Sequence, residues 1–326
     1  MPINHPGIFL VYRTVTYTAM IVVLGTVCLD RVRTIQKLPH PGGYEGVLQE
    51  SLGLGGEAAN TANALTRWGA DSILVGNHVG SGENADILLD LLAQHELRGT
   101  FTRNELAMTP VCDIYVTNDG ERTMFGIGFD HLGVGIALDD LPGGAGDWFT
   151  LDMNWGEVGL EALKKAQSKG MRTYAMDLLE ISDPVLACEF WQSSTDWVGT
   201  RGHTQSNVRW VKDWVERTGC FTILSDGPNG FVAGSPNHKV KSYPPFPTPK
   251  YVDSTGAGDM FRAGMLFGLS QNWPIGNCMA FASAAGCLKC RVLGATEFVP
   301  SVDQIWNWVD ENPEVSAAYG IEMVRQ

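Results

Sequence analysis

The chain has 326 residues, 44% of them hydrophobic, enough for a sizeable core in one large or two small domains. Its 36 acidic against 23 basic residues give a net charge of -13, which argues against nucleic acid or an anionic membrane as partner. Seven scattered cysteines form no disulfide framework and point to a reducing compartment, the cytoplasm.

Residues 1–19 read as an N-terminal extension outside the fold, since Ile8-Phe-Leu-Val-Tyr12 is too short to span a membrane and no cleavage-site pattern follows it. Met20 opens a buried parallel strand, Ile21-Val-Val-Leu24, which ends at Gly25. Asp30 follows a few residues later, and taken alone it reads as a solvated turn residue. Arg31 to Ser51 has the mixed pattern of an extended excursion, and Gly55-Gly56 then opens a helix running towards Trp68-Gly69. Ile73-Leu-Val-Gly76 is another short buried strand. Gly80-Ser-Gly-Glu-Asn-Ala85 satisfies the G-x-G-x-x-A spacing of a dinucleotide site, but it does not follow the first strand of the domain.

Pro110 to Val116 and Arg122 to Ile127 flank Thr117-Asn-Asp-Gly-Glu121, a strong hairpin signal. From Trp148 onward short strands alternate with helical stretches. The strands are expected at Phe149–Leu151, Thr173–Met176 and Asp196–Val198, and the helices at Gly159–Lys169 and Ser206–Arg217, which implies a parallel sheet flanked by helices. Phe221-Thr-Ile-Leu224 leads into the turn Ser225-Asp-Gly-Pro-Asn-Gly230, and Pro244-Pro-Phe-Pro-Thr-Pro249 is a connector that cannot be helical. Cys287-Leu-Lys-Cys290 has no second pair for zinc and lies late in an apolar helical pattern, so a core role is expected. Residues 311–326 are expected as a C-terminal tail.

The most informative stretch is Tyr251-Val-Asp-Ser-Thr-Gly-Ala-Gly-Asp259 with the apolar run Met260 to Leu269 behind it. Gly256, Ala257 and Gly258 stand where a buried helix begins, so free backbone N–H groups and the positive end of the dipole form an anion cradle. Asp259 in the first turn has two readings, a helix-capping carboxylate or a general base beside transferring phosphate.

Asp253-Ser-Thr-Gly-Ala-Gly-Asp259 resembles the C-terminal signature of the ribokinase-like (PfkB) carbohydrate kinases. Leu52-Gly-Leu-Gly-Gly-Glu-Ala-Ala-Asn60 resembles the same family's N-terminal signature, about 200 residues earlier and in the right order. The resemblance covers roughly residues 20 to 300. It implies an α/β fold, a ribokinase-like three-layer sandwich of a mostly parallel sheet with helices on both faces, plus a small β-sheet lid near 31–51 and 110–127. It also implies ATP-dependent phosphorylation of a free sugar or sugar-like compound. Asp259 would be the base and Gly256 to Gly258 the anion hole, while Asp30, Gly55, Gly56 and Asn60 would hold the acceptor.

By the same resemblance Ser225, Gly227 and Gly230 form the nucleotide loop, and Thr255 lies on the ATP side. Leu293-Gly-Ala-Thr296 lines the adenine and cation side, with Asp253 beside a monovalent cation such as K⁺. ATP and Mg²⁺ are the implied cofactors. Arg122 is either a solvated strand residue or a lid-borne guanidinium for the phosphate. Relatives pair their lids, which implies a homodimer, with Val111, Ile114, Val116 and Met124 as candidate contacts. Glu57 beside the glycine pair favours an uncharged acceptor, a sugar or a nucleoside, over a sugar phosphate.

One departure stands out. Many relatives carry Asn-x-x-Glu where this chain reads Gly199-Thr-Arg-Gly-His-Thr-Gln205, a change shared with some ketohexokinase-like members that implies altered ion handling. It keeps open a catalytically silent sugar or nucleoside sensor, beside the weaker rival of an NAD-dependent oxidoreductase resting on Gly80 to Ala85.

Overall fold

A computed structural model describes residues 19–130, 132–133 and 135–322. In chain order the strands are β1 (Ile21–Leu24), β2 (Cys28–Ile35), β3 (Val47–Gly55), β4 (Ser72–Val75), β5 (Gly99–Thr100), β6 (Val111–Val116), β7 (Arg122–Ile127), β8 (Trp148–Leu151), β9 (Arg172–Met176), β10 (Phe190–Ser194), β11 (Phe221–Ser225), β12 (Phe231–Ser235) and β13 (His238–Tyr243). The helices are α1 (Glu57–Arg67), α2 (Glu83–Gln94), α3 (Gly156–Ser168), α4 (Asp183–Leu186), α5 (Thr195–Val198), α6 (Thr204–Thr218), α7 (Ala257–Ser270), α8 (Ile275–Lys289), α9 (Val302–Asp310) and α10 (Pro313–Ser316).

Successive side chains of a strand point to opposite faces, and β1 shows what that does here. Ile21 and Val23 join a buried cluster with Ala58 of α1, Met265 of α7 and Phe281 of α8, whereas Val22 and Leu24 join another with Leu163 of α3 and Trp214 of α6. Helices therefore cover both faces of one nine-stranded sheet, ordered β13-β12-β11-β10-β9-β8-β1-β4-β5. The pairs from β11 to β5 are parallel, and β12 and β13 add an antiparallel edge. The expected three-layer sandwich is the observed one.

A separate sheet, β3-β2-β6-β7, forms the lid. Residues opposite one another in register share a face. Asp30, Val32, Cys112, Ile114, Val116 and Arg122 lie on the face turned to the body, where Val32, Ile114 and Val116 pack with Leu293. The outer face carries Arg31, Arg33, Asp113, Tyr115 and Phe125, with Asp113 2.9 Å from Arg33 and 3.3 Å from Arg31. This corrects the candidate dimer contacts. Val111, Ile114 and Val116 are buried, and Met124 is exposed but sits on the inner face; the exposed apolar residues of the outer face are Leu52, Phe125 and Ile127.

Two other expectations change. Asp196–Val198 is no strand but the single turn α5, capped by Ser194, whose Oγ accepts from Asp196 N at 3.2 Å. The strand lies just before it, at Phe190–Ser194, disguised by a buried glutamine and two serines. Gln192 is tolerated there because it accepts from Tyr174 Oη (2.6 Å) and donates to Gly258 O (3.2 Å). Residues 311–322 are docked rather than a tail: Tyr319 is buried, hydrogen-bonds Ser283 Oγ at 3.0 Å and stacks on Phe246. The expected N-terminal extension lies, but for Ala19, outside the described residues. All seven cysteines are free, Cys287 and Cys290 included.

Candidate active site

The sheet's carboxyl edge, where β1, β8, β9, β10 and β11 end, supplies one side of the site, and the start of α7 supplies the other. The chain enters α7 through Asp253, whose Oδ1 accepts from Thr255 N (2.9 Å) and Thr255 Oγ1 (2.7 Å) and whose Oδ2 accepts from Gly294 N (2.9 Å). Gly256 is left-handed at φ 77°, and a Cβ on it would strike Ala295, so only glycine fits this turn. No side chain caps α7. Ala257 N, expected as part of the anion cradle, donates to Ser254 O (3.1 Å), so the N–H groups of Gly256 and Gly258 are the ones that remain available to an anion.

Asp259 is therefore not the helix cap. It is 6% exposed; its Oδ2 accepts from Asn60 Nδ2 at 2.8 Å, while Oδ1 lacks a hydrogen-bond partner and lies 3.7 Å from the guanidinium of Arg262. Burial raises its pKa from the ordinary 3.8 to about 6, against the opposing pull of Arg262 and Asn60. Asn60 is buried too, and its Oδ1 has no partner. The hydrogen bond thus joins side chains 199 residues apart in sequence, and each keeps one unpartnered acceptor oxygen.

Asp30 reaches the same region from β2. A Cβ on Gly55 would overlap its carboxylate, and one on Gly56 would overlap Thr26 O, so the glycine pair exists to let the lid strands, β1 and α1 converge. Burial raises Asp30 to about 7, with the negative charges of Asp259 and Asp253 adding to the rise. From the lid, Arg122 Nη1 donates to Ser254 Oγ, directly beside the α7 turn. The hairpin tip is held further by Tyr251 Oη donating to Gly120 O (3.2 Å) and by the Arg201–Glu121 ion pair (3.1 Å).

Beneath this constellation lies Arg262, fully buried, with Nε on Thr61 Oγ1 (2.9 Å), Nη2 on Glu57 O (2.6 Å) and Nη1 on Leu151 O (3.4 Å). Around it stand Glu57, Asp152, Asp177 and Asp259, and burial pushes all four carboxyls up. Asp152 accepts from Thr26 N at 2.6 Å. Asp177 takes a left-handed φ of 58°, rare for a residue with a side chain, and accepts from Ser193 Oγ at 2.6 Å. Glu57 Oε2 has no partner. Arg262, Asp152 and Asp177 were missed from sequence, although each leaves a trace: a lone arginine in an apolar helix, and aspartates directly after short buried strands.

The nucleotide-loop residues lie farther along the same edge. Ser225 Oγ donates to Ser193 O (3.2 Å), and a Cβ on Gly230 would strike Tyr243 O. Gly227 is left-handed at φ 50°. Their link to the α7 turn runs through β10, where Gln192 reaches Gly258 O. Asp226 ties this loop to the stretch between α5 and α6, accepting from Thr195 Oγ1 (2.9 Å), Gly202 N (2.9 Å) and Asn207 Nδ2 (3.2 Å). Gly80, the basis of the dinucleotide rival, is a packing glycine whose Cβ would strike Ala107 O and Thr109 N.

Comparison with known proteins gives the family and the fold. Residues 18–129 and 195–302 match the pfkB family carbohydrate kinase profile. An uncharacterized sugar kinase of Dictyostelium discoideum is 32% identical, over 87% of this chain and 95% of its own length. Among solved structures, a nucleoside kinase of Methanocaldococcus jannaschii superposes with a TM-score of 0.71 at 20% identity, over 90% of this chain and 98% of its own. A ribokinase of Arabidopsis thaliana complexed with ribose and ATP gives 0.74 at 18% identity, over 89% and 98%.

Proposed function

Because this chain belongs to the pfkB family of carbohydrate kinases, we propose that it moves the γ-phosphoryl group of ATP onto a hydroxyl of a free sugar or sugar-like compound, with Asp259 as general base. The observation that carries this reading is the buried Asp259 carboxylate, hydrogen-bonded to Asn60 yet with Oδ1 unpartnered, in the first turn of an uncapped helix. An acceptor hydroxyl hydrogen-bonded to Oδ1 donates its proton there, and its oxygen attacks phosphorus in line with the leaving ADP.

Asp30 and Asn60 Oδ1 accept from other hydroxyls of the acceptor and fix its angle of approach. The N–H groups of Gly256 and Gly258 meet the charge spreading over the transferring group, and Arg122 adds a cation from the lid. The lid sheet covers the site and excludes water, which limits wasteful hydrolysis of ATP. Thr255 and the loop Ser225 to Gly230 hold the nucleotide.

Among the described residues no three His, Cys, Asp or Glu side chains are arranged to cage a metal. The edge carboxylates still suit Mg²⁺, which usually keeps several waters and takes one or two carboxylates plus phosphates. Asp177 and the unpartnered Glu57 are the residues that would hold it where Asn-x-x-Glu is lacking, and it would neutralise charge on the phosphates.

The lid's outer face supports a homodimer, with Leu52, Phe125 and Ile127 exposed on a sheet of four strands. Release of ADP in a screen of pentoses, hexoses, ketoses and nucleosides tests the activity. Binding of any of them without ADP release would instead mark a sensor.

A further inference from the structure

Lys289 ends α8, a helix otherwise built of apolar and small residues, and it is fully buried. Its Nζ donates to Asp253 O at 3.2 Å and lies 4.0 Å from Asp253 Oδ2. Burial pulls the lysine pKa down and the neighbouring Asp253 pulls it back up. A buried ammonium without a counter-charge would cost several kcal/mol, so the pair must be read as one unit. Phosphoryl transfer as described above makes no use of it.

The Asp253 carboxylate receives three neutral donors, from Thr255 N, Thr255 Oγ1 and Gly294 N. They satisfy its lone pairs but leave its charge. What that charge holds together is two segments: the turn 253–256 that begins the anion cradle, and the loop at Gly294-Ala295 against which Gly256 packs. A cation is needed at this junction, and a bound monovalent ion is one source. An ion that took Asp253 O and Oδ2 as ligands would meet the ammonium that already faces both oxygens. Two positive charges cannot share them without mutual repulsion.

We propose that Lys289 is the built-in counter-ion of the Asp253 junction, so that this kinase works without K⁺ or any other monovalent metal. Lys289 is thus a positioning residue: it acts on the cradle through Asp253 and touches neither acceptor nor phosphate. The inference rests on the kinase reading only where turnover is the readout; the stability readout stands apart from it.

The test compares the full chain in tetramethylammonium salts with and without KCl at matched ionic strength. Turnover and Tm are expected to be the same in both. Activation by K⁺ together with a rise in Tm would overturn the proposal, as would a thallium anomalous peak at Asp253 in wild-type crystals soaked in Tl⁺. Lys289→Ala opens space beside an uncompensated carboxylate, so its turnover should fall about tenfold to a hundredfold, and K⁺ should restore turnover and raise Tm. Lys289→Met fills the space with apolar atoms, and K⁺ should rescue neither. Rescue of the methionine variant as fully as the alanine variant would count against the proposal. If neither variant folds, the wild-type comparison decides alone. Absence of ADP release from wild type in both salts would refute the kinase reading, while the Tm comparison would still judge this one.

Discussion

Asp259→Asn separates a catalytic role for this carboxylate from a structural one, because the two roles move stability in opposite directions. The amide keeps the shape and still offers an oxygen to Asn60 Nδ2, so the hydrogen bond at 2.8 Å can persist. It cannot take a proton from the acceptor, which should lower turnover about 10²- to 10⁴-fold. Stability should rise. The folded-state pKa is about 6 against an ordinary 3.8, so the folded protein holds this proton more tightly than the unfolded chain does. The associated stability is fully present below pH 3.8 and is lost as the pH climbs through about 6. At pH 8 the ionised group thus costs up to about 3 kcal/mol, which the amide removes. The attraction of Arg262, 3.7 Å away, is already contained in that figure, so the expected gain is about 1–3 kcal/mol, or a few degrees in Tm. Coupled ADP-release assays from pH 5 to 9 with parallel thermal melts provide both readings. Wild-type kcat/KM should climb with pH up to about 6 and then level off. Near-normal turnover in the variant would refute the base, and a variant both inactive and clearly less stable would make Asp259 a structural carboxylate.

Asp30→Ala and Asn60→Ala should raise the acceptor KM far more than the ATP KM, since both are proposed to bind acceptor hydroxyls; calorimetry showing lost ATP affinity with intact sugar affinity would reverse the pocket assignment. Arg262→Met should destabilise by about 3–5 kcal/mol, because it strips the buried carboxylates of their shared cation and leaves Glu57 O and Leu151 O unpaired; an unchanged melt would show that the cluster is neutral in the folded protein. Phe125→Lys with Ile127→Lys should convert a dimer into a monomer by light scattering at micromolar concentration, and a dimer that survives both charges places the interface elsewhere.

The sequence disclosed this site wherever backbone geometry leaves no substitute. Gly55, Gly56 and Gly256 are legible because their neighbours forbid a Cβ, and Asp253 and Asp259 are legible because they bracket such a turn. What stayed hidden was charge inside the core. Arg262 and Lys289 sit in apolar helices, and their partners, Glu57 O, Leu151 O and Asp253, come from distant segments that no local pattern links to them. β10 was hidden for a related reason, since Gln192 breaks the apolar run and is acceptable only because Tyr174 and Gly258 meet it. Lid faces were beyond reach as well: alternation sorts β6 into two sets, and only packing on Leu293 reveals which set turns inward.

Asp30 lies on β2, one of the two central strands of the lid, and only three residues separate that strand from β1. The residue that would grip the acceptor is thus part of the element that closes over it. An acceptor hydroxyl bound to Asp30 is a tether between the two sheets, so occupancy and closure become a single coordinate. The expected kinetic consequence is an ordered encounter: the acceptor would enter first and hold the lid down, and nucleotide bound without it would leave unreacted. Pulse–chase trapping of labelled acceptor in its complex should then grow more efficient as ATP in the chase increases, while labelled ATP should escape the binary complex at every acceptor concentration.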